Sequence, residues 1–239
     1  MKNASDTRNA PPALVRRPEG LTLEGGGLTL RADFEAMLPR LKRDRLNREL
    51  LVRAARIRQP LYGTPTAVDA TAGLGEDALL LAAAGFAVRL FERDPVIAAL
   101  LADALERAAR NPALSGAVAR MPLTEGDSIP YLGQLTEAPA EVLLDPMFPE
   151  RKKSGLVKKK FQLLHGLEAP AADEEALLMA ARRARPQKII IKRPLKGPYL
   201  AGVRPTSSLS GRAIRYDCLA LPRGEASAPG MHNTPAAPL

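Results

Sequence analysis

Val68-Asp69-Ala70-Thr71-Ala72-Gly73-Leu74-Gly75-Glu76-Asp77 is the stretch that decides the fold. It leaves a short apolar strand, turns through two glycines and enters a helix. Glycine tolerates a left-handed backbone and lets a ligand approach closely. The helix that follows offers unsatisfied N–H groups at its first turn. A tight strand-to-helix turn with no ligand would also carry two glycines. A dinucleotide turn would want a third glycine and no acid, whereas Glu76 and Asp77 stand where a pyrophosphate would lie. Two carboxylates there suit a cationic or zwitterionic ligand. S-adenosylmethionine (SAM) is one: a sulfonium and an amino group, with no phosphate.

Outward from this turn the chain alternates strands and helices. Ala67–Ala70 reads as the first strand, and Glu76–Ala84 as a helix stopped by Gly85. Phe86–Phe91 is the second strand. The next helix opens on Pro95, where a missing N–H costs little. Its buried face is Val96, Ile97, Leu100, Leu101, Ala104 and Leu105, and it ends at Asn111-Pro112. A third strand is expected within Ala117–Leu123, a fourth at Glu141–Leu144 and a fifth at Lys188–Lys192. A helix is expected at Asp173–Ala184 and the last strand at Arg212–Leu221. This alternation predicts an α/β fold with a doubly wound, mostly parallel sheet, which binds its ligand at the carboxyl ends of the strands.

Ahead of this unit, Leu21–Leu30 reads as a hairpin around Gly25-Gly26-Gly27, and Phe34–Ile57 as a basic helix interrupted near Pro39. Residues 1–13 and 222–239 lack apolar periodicity and are expected to be disordered. The expected division is therefore a short N-terminal extension at 14–60 and one folded domain at 61–221.

Composition narrows the chemistry. Cys218 is the single cysteine, and His165 and His232 are the two histidines, so a cysteine- or histidine-based metal site is not expected. No uncharged apolar run is long enough to span a membrane, and the first residues have no secretory h-region, which makes the cytoplasm the expected location. The net charge of +9 favours a polyanionic partner, nucleic acid first.

Acids recur at the ends of later strands. Glu92 follows the second strand and can accept from both ribose hydroxyls of a bound nucleoside, with Arg93 beside it. Gly126-Asp127-Ser128 follows the third; Asp127 can accept from an adenine amine or simply cap the next helix. The most specific signal is Val142-Leu143-Leu144-Asp145-Pro146-Met147-Phe148-Pro149. Asp-Pro-Met-Phe after an apolar strand resembles the Asp/Asn-Pro-Pro-Tyr/Phe motif of methyltransferases acting on exocyclic base amines, with Met147 in place of the second proline. Such an amine is a weak nucleophile because its lone pair is delocalised into the ring. Asp145 and the Pro146 carbonyl can accept its two N–H bonds and aim the nitrogen at the methyl donor. Phe148 can stack on the base, which must be flipped out or already unpaired. A basic run, Arg151-Lys152-Lys153 and Lys158-Lys159-Lys160, follows directly, and Lys192-Arg193 follows the fifth strand; both are expected to meet RNA phosphates.

Taken together, these motifs resemble the RsmJ family, which methylates a guanine exocyclic amine in small-subunit (16S) ribosomal RNA. The resemblance runs from about Leu61 to Leu221 and is tightest over Val68–Gly75, Phe91–Val96 and Leu144–Pro149. It departs at Glu76, where the family turn usually carries Arg, and over Lys42–Glu49, where the family has a glycine-rich basic stretch. The resemblance implies a seven-stranded class I methyltransferase (Rossmann-like) fold, SAM as cofactor, and ribosomal RNA or the small subunit as partner. It implies cofactor contacts at Glu76, Asp77, Glu92, Arg93, Asp127, Ser128 and Asp145, to which the reading of the turn itself adds Asp69, Gly73 and Gly75. An adenine amine, a protein glutamine amide and a non-catalytic RNA-binding assembly role are the alternatives.

Overall fold

A computed structural model describes residues 11–57, 63–146 and 174–221. The centre of the fold is β4 (Thr66–Asp69), the strand that feeds the glycine turn. Parallel neighbours flank it: β5 (Ala87–Glu92) on one side and β7 (Glu141–Leu144) on the other. Beyond β5 lies β6 (Leu123–Glu125), and beyond β7 lies β8 (Lys188–Pro194), both still parallel. Antiparallel β10 (Ile214–Ala220) and β9 (Ser207–Ser210) complete seven strands in the order β6-β5-β4-β7-β8-β10-β9. The chain builds outward from β4 in one direction and then restarts at β7 in the other. A crevice therefore opens between the carboxyl ends of β4 and β7, where open α/β sheets hold their ligands.

Strand periodicity sends alternate side chains to the two faces. Ala67, Leu143 and Ile190 join the core under α4 (Glu76–Ala83) and α5 (Pro95–Ala109), with Leu79, Leu80 and Leu101. Val68, Val142, Leu144, Ile189 and Ile191 join the opposite core, with Leu132 of α7 (Ser128–Gln134) and Leu177, Leu178 and Ala181 of the helix Glu174–Arg183. All four residues of β7 are buried, as a central parallel strand covered on both faces requires.

The N-terminal extension is a three-stranded antiparallel sheet, β1 (Ala13–Arg17), β2 (Gly20–Gly25) and β3 (Leu28–Leu30). The sequence read only the β2–β3 hairpin; β1 is an addition. Leu23 and Leu30 pack on Leu100 of α5. Buried Asp103 of α5 clamps the sheet in place: it accepts from Leu21 N at 3.0 Å and pairs with Arg16 at 2.6 Å and Arg107 at 2.8 Å.

The expected helix over Phe34–Ile57 is instead a chain of short turns: α1 (Leu38–Leu41), α2 (Arg43–Leu46) and α3 (Leu50–Ala54). The breaks fall at Lys42 and Glu49, whose ψ of 133° is extended, and not at Pro39, which sits harmlessly in the first turn of α1. The third strand is also displaced. Residues expected in it form α6 (Ser115–Val118), because Leu114 and Val118 share one buried helical face. The strand starts only after Pro122, whose carbonyl accepts Leu90 N at 2.9 Å. The serine-rich edge strand β9 was not read from the sequence.

Candidate active site

Gly73 and Gly75 carry φ of 54° and 77°, so the turn they form is left-handed twice. Gly75 is constrained further: a Cβ there would lie 2.6 Å from Leu101 Cδ1 and 3.0 Å from Phe34 Cζ. Phe34 belongs to the N-terminal extension, so the extension seats the glycine turn from below. Glu92, buried at the end of β5, ties the turn down from the other side. Its Oε2 accepts Gly73 N at 2.8 Å and its Oε1 accepts Asp94 N at 2.9 Å. Burial pushes its carboxyl up despite these two bonds.

Above the turn lies a cavity of about 410 Å³. All ten residues expected to contact the cofactor line it: Asp69, Gly73, Gly75, Glu76, Asp77, Glu92, Arg93, Asp127, Ser128 and Asp145. Pro146 lines it too, so the first half of the Asp-Pro-Met-Phe motif and the glycine turn share one chamber. Asp127 caps α7 through Ile129 N at 2.9 Å, so its alternative role as a cap is real and is filled by one oxygen. Thr71, not singled out from the sequence, welds the two halves. Its Oγ1 accepts Asp145 N at 2.6 Å, fixing the start of the Asp-Pro turn to the glycine turn.

The acids in this chamber are crowded. Asp69 is fully sequestered, and burial pushes its carboxyl up to about 8, with Asp77 and Asp145 adding repulsion. Burial raises Asp145 as well, opposed by the cation of Lys192. Lys192 Nζ sits 2.9 Å from Asp77 Oδ2 and 3.0 Å from Asp145 Oδ2. Tyr216 of β10 brings its hydroxyl to 3.3 Å from Asp77 Oδ2.

These distances correct two expectations. Lys192 faces into the cavity between two aspartates and not onto an RNA-facing surface. Arg193 points to the opposite face of β8, as the strand period demands, and is buried there. It pairs with Glu174 Oε1 at 3.2 Å and donates to Pro198 O at 3.0 Å, which ties the start of the helix Glu174–Arg183 to the sheet. A guanidinium so enclosed is not presented to a phosphate. Phe148, Arg151, Lys152, Lys153, Lys158, Lys159 and Lys160 lie outside the described residues.

Comparison with known proteins places this geometry. A family model described as "Putative SAM-dependent methyltransferase" matches residues 4–220. The ribosomal RNA small subunit methyltransferase J of Neisseria meningitidis (strain FAM18) is 39% identical over 200 residues, covering 82% of this chain and 78% of that protein. The chain belongs to this family. The protein of the same name from Pseudomonas aeruginosa (strain UCBPP-PA14) is 47% identical over 154 residues, 64% of this chain. That match spans 59% of the Pseudomonas protein's length. The crystal structure of a SAM-dependent methyltransferase from Neisseria gonorrhoeae superposes with a TM-score of 0.68 at 29% identity, covering 96% of this chain and 90% of that one.

For a methyltransferase J family member the cavity fits its cofactor on chemical grounds. The first turn of α4 carries two acids, Glu76 and Asp77, which suit a sulfonium and an ammonium better than a pyrophosphate. Glu92 at the end of β5, and Asp127 and Ser128 after β6, line the same cavity. Among the described residues no cluster of His, Cys, Asp and Glu is placed to hold a metal ion, and no helix is long and apolar enough to cross a membrane.

Proposed function

We propose that this chain methylates the exocyclic amine of a guanine in small-subunit (16S) ribosomal RNA, using SAM. The observation that carries this reading is the single cavity shared by Asp145-Pro146 and the Gly73–Gly75 turn. When bound, SAM supplies an electrophilic methyl whose bond to sulfur breaks, leaving both electrons on sulfur, as the amine nitrogen bonds to the carbon. The chain's own part is to bind, aim and deprotonate. Glu92 grips the ribose, Asp127 and Ser128 the adenine, and Asp77 the amino acid end. Asp145 accepts one amine N–H and the Pro146 carbonyl the other, so the nitrogen lone pair lies in line with the methyl. The proton shed by the methylated nitrogen passes to Asp145 and then to water. Phe148 stacks on the base, and Arg151, Lys152, Lys153, Lys158, Lys159 and Lys160 meet the flanking phosphates. We place the reaction in the cytoplasm and assign it to residues 61–221, with 14–60 as a supporting extension.

The test is transfer of labelled methyl from SAM to 30S subunits, naked 16S RNA, duplex DNA and protein, with wild type and Asp145→Ala. The expected result is labelling of a guanine N2 in ribosomal RNA that Asp145→Ala abolishes, while SAM affinity falls only modestly. Labelling of an adenine amine or a glutamine amide would move the substrate class. RNA binding without transfer would favour an assembly role.

A further inference from the structure

The cation at the centre of the acid cluster has no place in the roles just given. Lys192 forms ion pairs with both Asp77 and Asp145, at 2.9 and 3.0 Å. It reaches them from β8, one strand beyond β7, and its side chain is about three-quarters enclosed, at 27% exposure. A lysine so enclosed has given up water, which is tolerable only because two carboxylates replace it. Tyr216, from antiparallel β10, closes the far side: Tyr216 and Lys192 are register partners, and both reach Asp77. The cluster therefore draws on four elements: Asp77 from α4, Asp145 after β7, Lys192 from β8 and Tyr216 from β10.

We propose that Lys192 is a positioning residue for methyl transfer, holding the Asp145 carboxylate by Oδ2 so that Oδ1 is presented to the substrate amine, with Asp77 and Tyr216 holding Lys192 in turn. This rests on the amine-methylation reading above. The physical need is plain. An aspartate in a cavity of acids would otherwise rotate freely and hold its proton, and a protonated Oδ1 donates where the amine needs an acceptor. The groups facing Asp145 and Lys192 are Asp69, Asp77 and Tyr216, with Arg193 acting on Asp145 from the far face of β8 and Arg40 of α1 acting on Asp77 from the extension. Burial disfavours the lysine's charge, but Asp77 and Asp145 outweigh it and keep Lys192 protonated. Removing that charge leaves Asp69, Asp77 and Asp145 facing one another.

A structural strut and a positioning cation behave differently when Lys192 is changed to Gln or Arg. SAM is itself cationic, so losing a neighbouring positive charge releases Asp77 toward it. Lys192→Gln is expected to bind SAM as tightly as wild type or more tightly by calorimetry, while kcat falls on the order of 100-fold. Its acid limb in the kcat–pH profile should move up by about one pH unit or more. Lys192→Arg keeps the charge and should recover much of kcat and the wild-type acid limb. Independently of turnover, carbon-13 NMR of the Asp145 carboxyl should show its titration point higher in Lys192→Gln. If kcat and the carboxyl titration are both unchanged, or if SAM affinity and kcat fall together while Arg fails to rescue, the proposal is wrong. A shifted Asp145 titration in an enzyme that methylates no base amine would instead uphold the Lys192–Asp145 coupling and overturn the substrate reading.

Discussion

Replacing Glu92 with Gln separates the ligand-binding role of this side chain from its structural one. Glu92 Oε2 accepts from Gly73 N at 2.8 Å and Oε1 from Asp94 N at 2.9 Å. Gln keeps the shape but offers one oxygen, so one backbone N–H must face an amide NH₂. A hydrogen bond to a charged group contributes roughly 1.5–3 kcal/mol. In the free protein that loss is offset, because burial already disfavours the Glu92 charge and the amide carries none. The net cost to the fold should therefore be small, about 1 kcal/mol. In the complex the same carboxylate is assigned to the ribose hydroxyls, while the backbone N–H groups of Gly73, Asp94 and Arg93 already draw on its roughly four acceptor sites. Losing one ribose acceptor as well as slackening the Gly73 turn should cost about 3 kcal/mol of binding, a rise in SAM Kd of roughly 100-fold. Isothermal calorimetry with SAM and urea denaturation without it measure the two sides. Wild-type affinity should also weaken as pH falls through the raised titration point of Glu92, since a protonated Glu92 loses an acceptor, and the variant should lack this limb. An unchanged Kd, or an affinity loss matched by an equal loss of folding stability, would refute the ribose assignment.

Three further outcomes follow from other parts of the molecule. Glu141 is buried at the start of β7, with neither carboxylate oxygen hydrogen-bonded among the described residues and Lys188 Nζ at 3.5 Å, and burial pushes its carboxyl from 4.5 up to about 8. Since the folded state holds that proton more tightly than the unfolded one, stability should fall as pH rises from 4.5 to 8. Glu141→Gln should remove this dependence and be more stable at pH 8 by up to about 5 kcal/mol in urea titrations, whereas a less stable variant would mean that the Lys188 ion pair dominates. Gly75→Ala puts a methyl 2.6 Å from Leu101 Cδ1 at a φ of 77°, so a loss of at least about 1–3 kcal/mol together with weakened SAM binding is expected from thermal melts and calorimetry. Charge reversal at Lys158, Lys159 and Lys160 should weaken RNA binding and flatten its dependence on salt by about one slope unit for each phosphate no longer neutralised, whereas an unchanged slope across a salt series would leave this run as solvated surface.

The alternation of strands and helices was legible in the sequence because each pattern has one dominant cause. Val68, Leu143 and Ile190 sit in short continuous apolar runs, as parallel strands covered on both faces require, and Pro95 and Gly85 punctuate helices by rules of their own. The cavity wall was legible for a related reason: residues ending successive parallel strands must converge at one edge, so Asp69, Glu92, Asp127 and Asp145 line one cavity without any knowledge of distance. What stayed hidden depends on pairings across the chain. Lys192 and Arg193 look alike as a basic dipeptide, yet adjacent positions on a strand face opposite sides, and only the placement of Asp77, Asp145 and Glu174 decides what each one meets. Asp103 and Thr71 act through backbone groups of distant segments, Leu21 and Asp145, and no local pattern announces that. The short turns of residues 38–54 failed as a helix because Lys42 and Glu49 break it without proline or glycine.

A crystal structure with S-adenosylhomocysteine bound tests the shared chamber of cofactor and catalytic turn most directly. Both ribose hydroxyls are expected on Glu92, the sulfur at the mouth beside Asp145 and Pro146, and the Asp145 carboxylate turned toward it with Lys192 behind. An adenosyl group seated elsewhere, or Asp145 directed away from the sulfur, would contradict the assignment.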